Sequence, residues 1–308
     1  MKKLSKKFML SIVAIALVVI ALGTSTFAWF TLSNKASVGQ FNAEVTAGEG
    51  MELSLDQINW YSSIPEEVIQ TQIKTNFETE FEAEPVGVVN TNGAPILTAV
   101  TTTDLNAFNK LKADQTGWET AIANVDYIKI KIYVRAVNLN TVSIDSLLVT
   151  GTADDWKADA NFTDGSGQSV ISGEFVNVSA ANAARVGIKG TSTFVFENEA
   201  SSSAPINHVL GNTIPTNGQA DYFYQKNLVN PNDIEGAPES VIDSVTTVGT
   251  GVEVLTLTPL ADTSYNTGNF DLFVWFEGFD ADTYDSILKM PLNIKMSFKG
   301  TPVVVVTP

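Results

Sequence analysis

Alternation of apolar and polar residues recurs along this chain and predicts β-strands. The clearest segment is 127–135 (YIKIKIYVR), where apolar residues at every second position would face a core and charged or aromatic residues would face outward. Residues 292–298 (LNIKMSF) repeat the pattern, whereas 270–276 (FDLFVWF) is apolar almost throughout, as in a central strand. Further strands are predicted at 38–46, 51–55, 142–150, 172–178, 185–188, 193–197 and 252–258.

Turn sequences separate these segments and set the expected architecture. Asn92-Gly93, the DGSG run at 164–167 and Asn217-Gly218 are typical of turns. Many short strands joined by turns predict an all-β, antiparallel sandwich forming one domain over 29–308.

Three stretches depart from this strand pattern. A short helix is predicted over 104–113, with Thr103 or Asp104 as its N-cap. Residues 61–120 and 200–240 are less regular and are predicted to be long loop insertions on the sandwich.

The first thirty residues have the layout of an export signal. Four lysines within residues 2–7 precede an uncharged apolar run over 8–22, and a small-x-small motif ends at Ala28. Cleavage by a signal peptidase between Ala28 and Trp29 is therefore predicted. The alternative is an uncleaved membrane anchor, because 8–30 is long enough to span a bilayer as a helix. Either interpretation places the remaining chain outside the cell or on its surface.

Composition excludes several classes of function. The formal charge is -16, and without the four leader lysines 14 Lys and Arg face 34 Asp and Glu, a balance that disfavours nucleic acid and anionic lipid as partners. Absence of cysteine excludes disulfides, thiolate metal sites and cysteine catalysis. A single histidine, His208, without an HExxH or GxSxG motif argues against zinc hydrolysis and a serine triad. We therefore expect no enzymatic activity; a secreted hydrolase using paired carboxylates is the remaining enzymatic alternative.

Several acidic residues lie in the segment that follows the predicted apolar strand 270–276. Glu277, Asp280, Asp282 and Asp285 offer hard oxygen ligands at a spacing that can hold calcium, and no other cofactor is expected. The segment lacks the glycine and terminal glutamate of an EF-hand loop, and the alternative interpretation is a solvated acidic loop.

A second acidic segment alternates strictly. Residues 77–84 (FETEFEAE) would, as a strand, place all four glutamates on one face. Such a face either blocks unwanted pairing at an exposed sheet edge or binds calcium.

The leader junction and two later segments resemble a known family. The sequence TFAWF at 26–30, after Gly23-Thr24, together with FNAEVTAG at 41–48, is similar to the exported camelysin/TasA family of Gram-positive bacteria. Residues 273–282 (FVWFEGFDAD) look like surface proteins of Firmicutes and mollicutes with the same leader type. The resemblance implies processing by a SipW-type signal peptidase, a jelly-roll sandwich, and assembly into extracellular fibres. The metalloprotease activity of camelysin is not expected here, because the histidines are missing.

Fibre assembly in that family implies a donor strand at the mature N-terminus. Segment 29–45 begins with two aromatic residues, lacks proline and can extend, so it suits strand addition to a neighbouring subunit. The candidate contact residues are Trp29, Phe30, Val38, Phe41 and Val45. The alternative is that this strand pairs within its own subunit.

The leading hypothesis from the sequence is therefore a structural subunit of a fibre or biofilm matrix, whose partner is a second copy of itself. The alternative is a membrane-anchored adhesin or carbohydrate-binding module that would use Trp60 or Trp118.

Overall fold

The computed structural model describes most of the chain after the leader. The described residues are 36–37, 41–48, 50–81, 96–112, 114–198, 217–229, 233–238, 240–249, 251–261, 263–284, 286–287 and 290–302. The predicted export signal, the Ala28–Trp29 junction, Phe30, Val38 and His208 lie outside them. Within the described ranges, no helix is long and apolar enough to cross a membrane.

Strands dominate the described residues, with 49% strand against 13% helix, which confirms the all-β class. The strands are β1 (Ala36–Ser37), β2 (Phe41–Thr46), β3 (Met51–Ser54), β4 (Ser63–Ile64), β5 (Ile96–Leu97), β6 (Ala99–Thr102), β7 (Phe108–Leu111), β8 (Trp118–Thr120), β9 (Ile128–Val137), β10 (Leu139–Gly151), β11 (Asp154–Lys157), β12 (Phe162–Thr163), β13 (Ser169–Val170), β14 (Phe175–Val178), β15 (Ala184–Lys189), β16 (Thr193–Glu197), β17 (Val252–Thr256), β18 (Thr258–Pro259), β19 (Tyr265–Glu277) and β20 (Leu292–Pro302). The helices are α1 (Glu66–Phe81), α2 (Ala180–Ala183) and α3 (Gln219–Asn227).

One principal sheet has five strands in the order β17-β10-β20-β2-β4. β10 and β20 pair antiparallel along most of their length, and β2 lies parallel to β20 on its other side. Leu292, Ile294, Met296 and Phe298 are buried while the residues between them are more exposed, as the period of 2 predicts.

The second principal sheet has nine strands arranged around β19. The first part of β19 pairs antiparallel with β9, and its last part pairs antiparallel with β15 and parallel with β6. Both principal sheets are therefore mixed, whereas the sequence pattern led us to expect a purely antiparallel sandwich.

The two sheets share one hydrophobic core. Buried residues of β9 and β19 from one sheet and of β10 and β20 from the other belong to the same cluster. Phe270 of β19 packs against Phe298 of β20 with ring centroids 5.1 Å apart. Face-to-face packing of this kind explains why β9 and β20 alternate between buried and more exposed positions.

The outer face of β19 is covered as well, which explains its nearly continuous apolar sequence. Phe273 and Trp275 point away from the shared core and pack against Phe108, with ring centroids 5.7 Å and 5.4 Å from it. β6, β7 and β8, predicted to be loop, form this cover together with the segment 240–249.

The helix predicted at 104–113 is wrong. The hydroxyl of Thr102 accepts hydrogen bonds from the backbone N–H groups of Asp104 and Leu105, and the Asp104 carboxylate accepts one from Asn106. These side-chain bonds form a turn in place of a first helical turn, and the chain continues as β7.

The edge strand predicted at 77–84 is also wrong, as far as Phe81. This segment ends helix α1, in which Ile69, Ile73 and Phe77 recur every four residues and are all buried. The helical period of the longer segment outweighs the local alternation. Residues 82–84 lie outside the described residues.

Candidate functional site: buried carboxylates at the end of strand β19

The end of β19 brings the predicted acidic residues into the protein interior. Glu277 is fully buried, Asp280 is 1% exposed and Asp282 is partly buried. The chain turns here because the Asp280 N–H donates to the Glu277 carbonyl and the Asp282 N–H donates to the Asp280 Oδ1. Asp285 lies outside the described residues.

A buried arginine faces this turn. Arg185 of β15 is fully buried, and its Nη2 lies 2.6 Å from Oε2 of Glu197, which is directly opposite it on β16. Its Nη1 lies 3.9 Å from Oε2 of Glu277 and donates to the Ile242 carbonyl. Three neighbouring strands thus bring one guanidinium and two carboxylates together away from water.

Glu277 is held by further donors. Its carboxylate accepts hydrogen bonds from Nε1 of Trp275 at 3.0 Å and from the backbone N–H of Phe279 at 3.2 Å. Because Glu277 faces Arg185 and these donors, its role in the structure is that of a buried ion-pair partner.

The described residues of this site include more buried carboxyl groups than buried cations. Arg185 is the buried cation, whereas Glu197, Glu277 and Asp280 are all buried carboxyl groups. Burial raises the pKa of Glu197 to about 7, although the guanidinium beside it acts in the opposite direction. Burial, together with the neighbouring Asp282, raises the pKa of Asp280 well above its ordinary value.

Helix α3 closes the far side of the turn. The N–H of Gln219 donates to the carbonyl of Ala281 at 2.8 Å, and Gln219 is fully buried. Gly218 precedes it with φ +64°, and a Cβ there would lie 2.5 Å from the Ala281 carbonyl oxygen. Only glycine therefore fits at this junction.

No three His, Cys, Asp or Glu side chains in the described ranges are grouped so that they could hold a metal ion. Of the four carboxylates proposed for calcium, the structure turns Glu277 toward Arg185 and leaves Asp280 and Asp282 together in the turn. The four-ligand site, which includes Asp285, stays a prediction.

The donor-strand candidates that the structure describes lie in β2. Val45 is 1% exposed and packs in the core of its own chain, and Phe41 begins the strand. The other candidates, Trp29, Phe30 and Val38, are outside the described residues.

The two tryptophans considered for sugar binding are in contact with other side chains. Trp118 stacks on Phe279 with ring centroids 5.3 Å apart. Trp60 is covered on one face by the guanidinium of Arg135, 4.4 Å from the ring centroid.

Arg185, Glu197, Gln219 and Tyr284 are the residues of this site that the sequence pattern did not identify. A signal for two of them exists: Arg185 and Glu197 are charged residues in otherwise apolar strands, and charged residues are almost never fully buried unless they are paired. Gln219 and Tyr284 carry no such signal, because their positions depend on how α3 packs against the turn.

We found no match to this chain among protein-family models, curated proteins or solved structures.

The raised pKa of Glu197 predicts that the fold loses stability as the pH rises through about 7. The folded state binds this proton more tightly than the unfolded chain does, because the ordinary pKa of a glutamate is 4.5. The added stability is therefore complete below pH 4.5 and is lost as the pH rises through 7. One titrating group changes the free energy of unfolding by at most about 1.4 kcal/mol per pH unit. Urea unfolding at several pH values between about 5 and 8 measures it.

Glu197→Gln is the matched variant for this measurement, because the amide has the shape of the protonated acid and does not titrate. We expect its free energy of unfolding to depend less on pH than that of the wild type. An equally steep dependence in the variant would contradict the assignment to Glu197.

Proposed function

We propose that this protein is a structural, non-enzymatic subunit of an extracellular fibre or matrix, with a jelly-roll-like sandwich that self-associates by exchange of its N-terminal strand. The observation that carries the proposal is the position of β2. It is the first strand of a principal sheet in chain order, and its main partner, β20, lies far along the chain.

β2 is paired unequally on its two sides. It lies parallel to β20 from Phe41 to Thr46, but its other side pairs with β4 only at Val45 and Thr46. Among the described residues, the first four residues of β2 therefore have a strand partner on one side only. Strands with an open side accept or exchange partners readily.

The contacts of β2 can be made equally well by a second copy of the chain. Ala43 and Val45 are buried against the core, and Glu44 pairs with Lys295 at 3.1 Å on the exposed face. If β2 of one subunit occupied this place in the next, the same hydrogen bonds and packing would form. Exchange then costs little free energy. It produces linear polymers when the exchanged subunits do not close into a ring.

Two other sheet edges, those of β16 and β17, are covered by neighbouring segments of the chain. The outer edge of β16 bonds to Val245 through two backbone hydrogen bonds. Thr191 covers the outer edge of β17, because its backbone N–H donates to the carbonyl of Val254.

A disulfide that ties β2 to its own chain tests this proposal. Thr46 and Ser63 are opposite each other on β2 and β4, and their hydroxyl oxygens lie 3.2 Å apart on the exposed face. The chain has no cysteine, so the Thr46→Cys/Ser63→Cys variant forms a single defined bond. Oxidised as a monomer, it should form no polymer until a reductant is added. Oxidised after assembly, it should give a ladder of covalent oligomers on a non-reducing gel.

The control is Ser146→Cys/Ser297→Cys, which joins β10 to β20 within one subunit in either arrangement. It should polymerise like the wild type and run as a monomer on the same gel. Polymers formed by the oxidised Thr46/Ser63 variant, or the absence of any high-mass species from the full wild-type chain, would reject the proposal.

A further inference from the structure

The turn after β19 contains buried polar atoms that have no hydrogen-bond partner among the described residues. They are Oδ2 of Asp280, Oδ2 of Asp282, the hydroxyl of Tyr284 and both side-chain amide atoms of Gln219. A buried polar atom left without a hydrogen-bond partner destabilises the folded state. Folded proteins satisfy such atoms with protein groups, water or ions.

These atoms belong to one small region of the fold. The backbone bond from Gln219 to Ala281 places the start of α3 against the residue between Asp280 and Asp282. The bond from the Asp282 N–H to Oδ1 of Asp280 joins the two acidic residues in one tight turn. Tyr284 follows two residues later and is 1% exposed.

Tyr284 lies beside the two acidic residues of the turn. Its backbone N–H donates to the carbonyl of Asp282 at 2.9 Å, and its hydroxyl is buried. Arg185, the fully buried cation among the described residues, is paired with Glu197 and Glu277.

A proton shared between Asp280 and Asp282 would satisfy only some of the buried polar atoms that lack a partner. It supplies one hydrogen bond between the carboxyl groups, but it leaves the amide oxygen of Gln219 without a partner. A cation that accepts several irregularly placed oxygen ligands satisfies the carboxylates and the amide oxygen together. Calcium takes six to eight such ligands and tolerates irregular geometry, whereas magnesium demands a near-ideal octahedron.

We propose that Asp280, Asp282 and the side-chain oxygen of Gln219 bind a divalent cation of the calcium type at this turn. The donor set is two carboxylates with neutral oxygens, so it differs from the four-carboxylate set expected from the sequence. Glu277 is not part of it, because it faces Arg185. The cation would join the end of β19 to the start of α3.

Terbium luminescence tests the site directly. Trp156 stacks on Tyr284 with ring centroids 5.0 Å apart, so two aromatic groups lie close enough to transfer excitation to a bound Tb³⁺ ion. With the full chain freed of metal by a chelator, we expect a saturable luminescence signal that Ca²⁺ abolishes by competition. Ca²⁺ alone should raise the thermal unfolding temperature.

Asp280→Asn and Asp282→Asn keep the shape of the protonated acids and should each weaken Tb³⁺ and Ca²⁺ binding by about 10- to 100-fold or more. Gln219→Met is a further variant that removes the amide without adding charge. The matched control is Asp145→Asn, an exposed carboxylate on β10 whose loss should leave binding unchanged.

Two results would overturn the proposal. One is Tb³⁺ binding that is equal in the wild type and in both turn variants, which would place the ion elsewhere on this acidic surface. The other is an unfolding temperature that does not respond to Ca²⁺ at millimolar concentration but rises on acidification, which would assign the carboxyl pair to a shared proton.

Discussion

Replacing Arg185 with methionine is expected to lower the free energy of unfolding by about 3–5 kcal/mol. Arg185 is fully buried, and its loss leaves Glu197 and Glu277 as uncompensated buried carboxyl groups. Methionine fills a similar volume, so the effect reports the lost charge more than a cavity. Urea unfolding followed by circular dichroism measures the change.

The chain offers a close control in its other arginine that is paired with a glutamate. Arg135 bonds to Glu52 at 2.6 Å, but both side chains are partly exposed, at 28% and 38%. Arg135→Met should therefore cost only about 1 kcal/mol or less. Equal losses for the two variants would show that the Arg185 cluster contributes no more than a surface ion pair.

Acidification should rescue the Arg185→Met variant in part. The carboxyl groups left without their cation can take up protons in place of the ion pair, and Glu197 already binds its proton at about pH 7 in the wild type. The difference between variant and wild type should therefore shrink at lower pH, and the additional substitution Glu197→Gln should shrink it further at neutral pH.

Replacing Trp275 with alanine is expected to cost about 3–5 kcal/mol. Its indole is fully buried between β6, β7 and the outer face of β19, and Gly187 on the adjacent strand leaves room for it, since a Cβ there would lie 3.0 Å from the ring. The variant also removes the Nε1 donor to Glu277. Loss of unfolding free energy in urea is again the measurement.

Trp60→Ala is the control for Trp275. Trp60 lies at the surface of the 54–61 loop, stacked on Arg135 and bonded through Nε1 to the Gln57 carbonyl. Its loss should cost about 1 kcal/mol, the contribution of an exposed stacking contact. A Trp275 variant no less stable than the Trp60 variant would contradict the packing described for the outer face of β19.

Strands were predictable from the sequence where the side chains on one face are buried and those on the other face are exposed. β9 and β20 alternate because one face of each meets the shared core and the other meets water or a partly covered surface. The predicted bounds of β16 agree with the structure, Thr193–Glu197. Helix α1 was missed because its buried residues are spread over three turns among polar ones, so the short alternation at its end looked like a strand.

The sequence by itself determined the all-β class, most strand positions, the acidic balance and the absence of cysteine chemistry, because these depend on composition and on local periodicity. Only the tertiary structure decided that β2 lies parallel to β20, that Arg185 meets Glu197 and Glu277, and that the backbone of Gln219 bonds to Ala281 in the turn after β19. Local pattern sets which way a side chain points relative to a core. Which buried groups meet there is set by strand order and register, which depend on contacts between residues far apart in the chain.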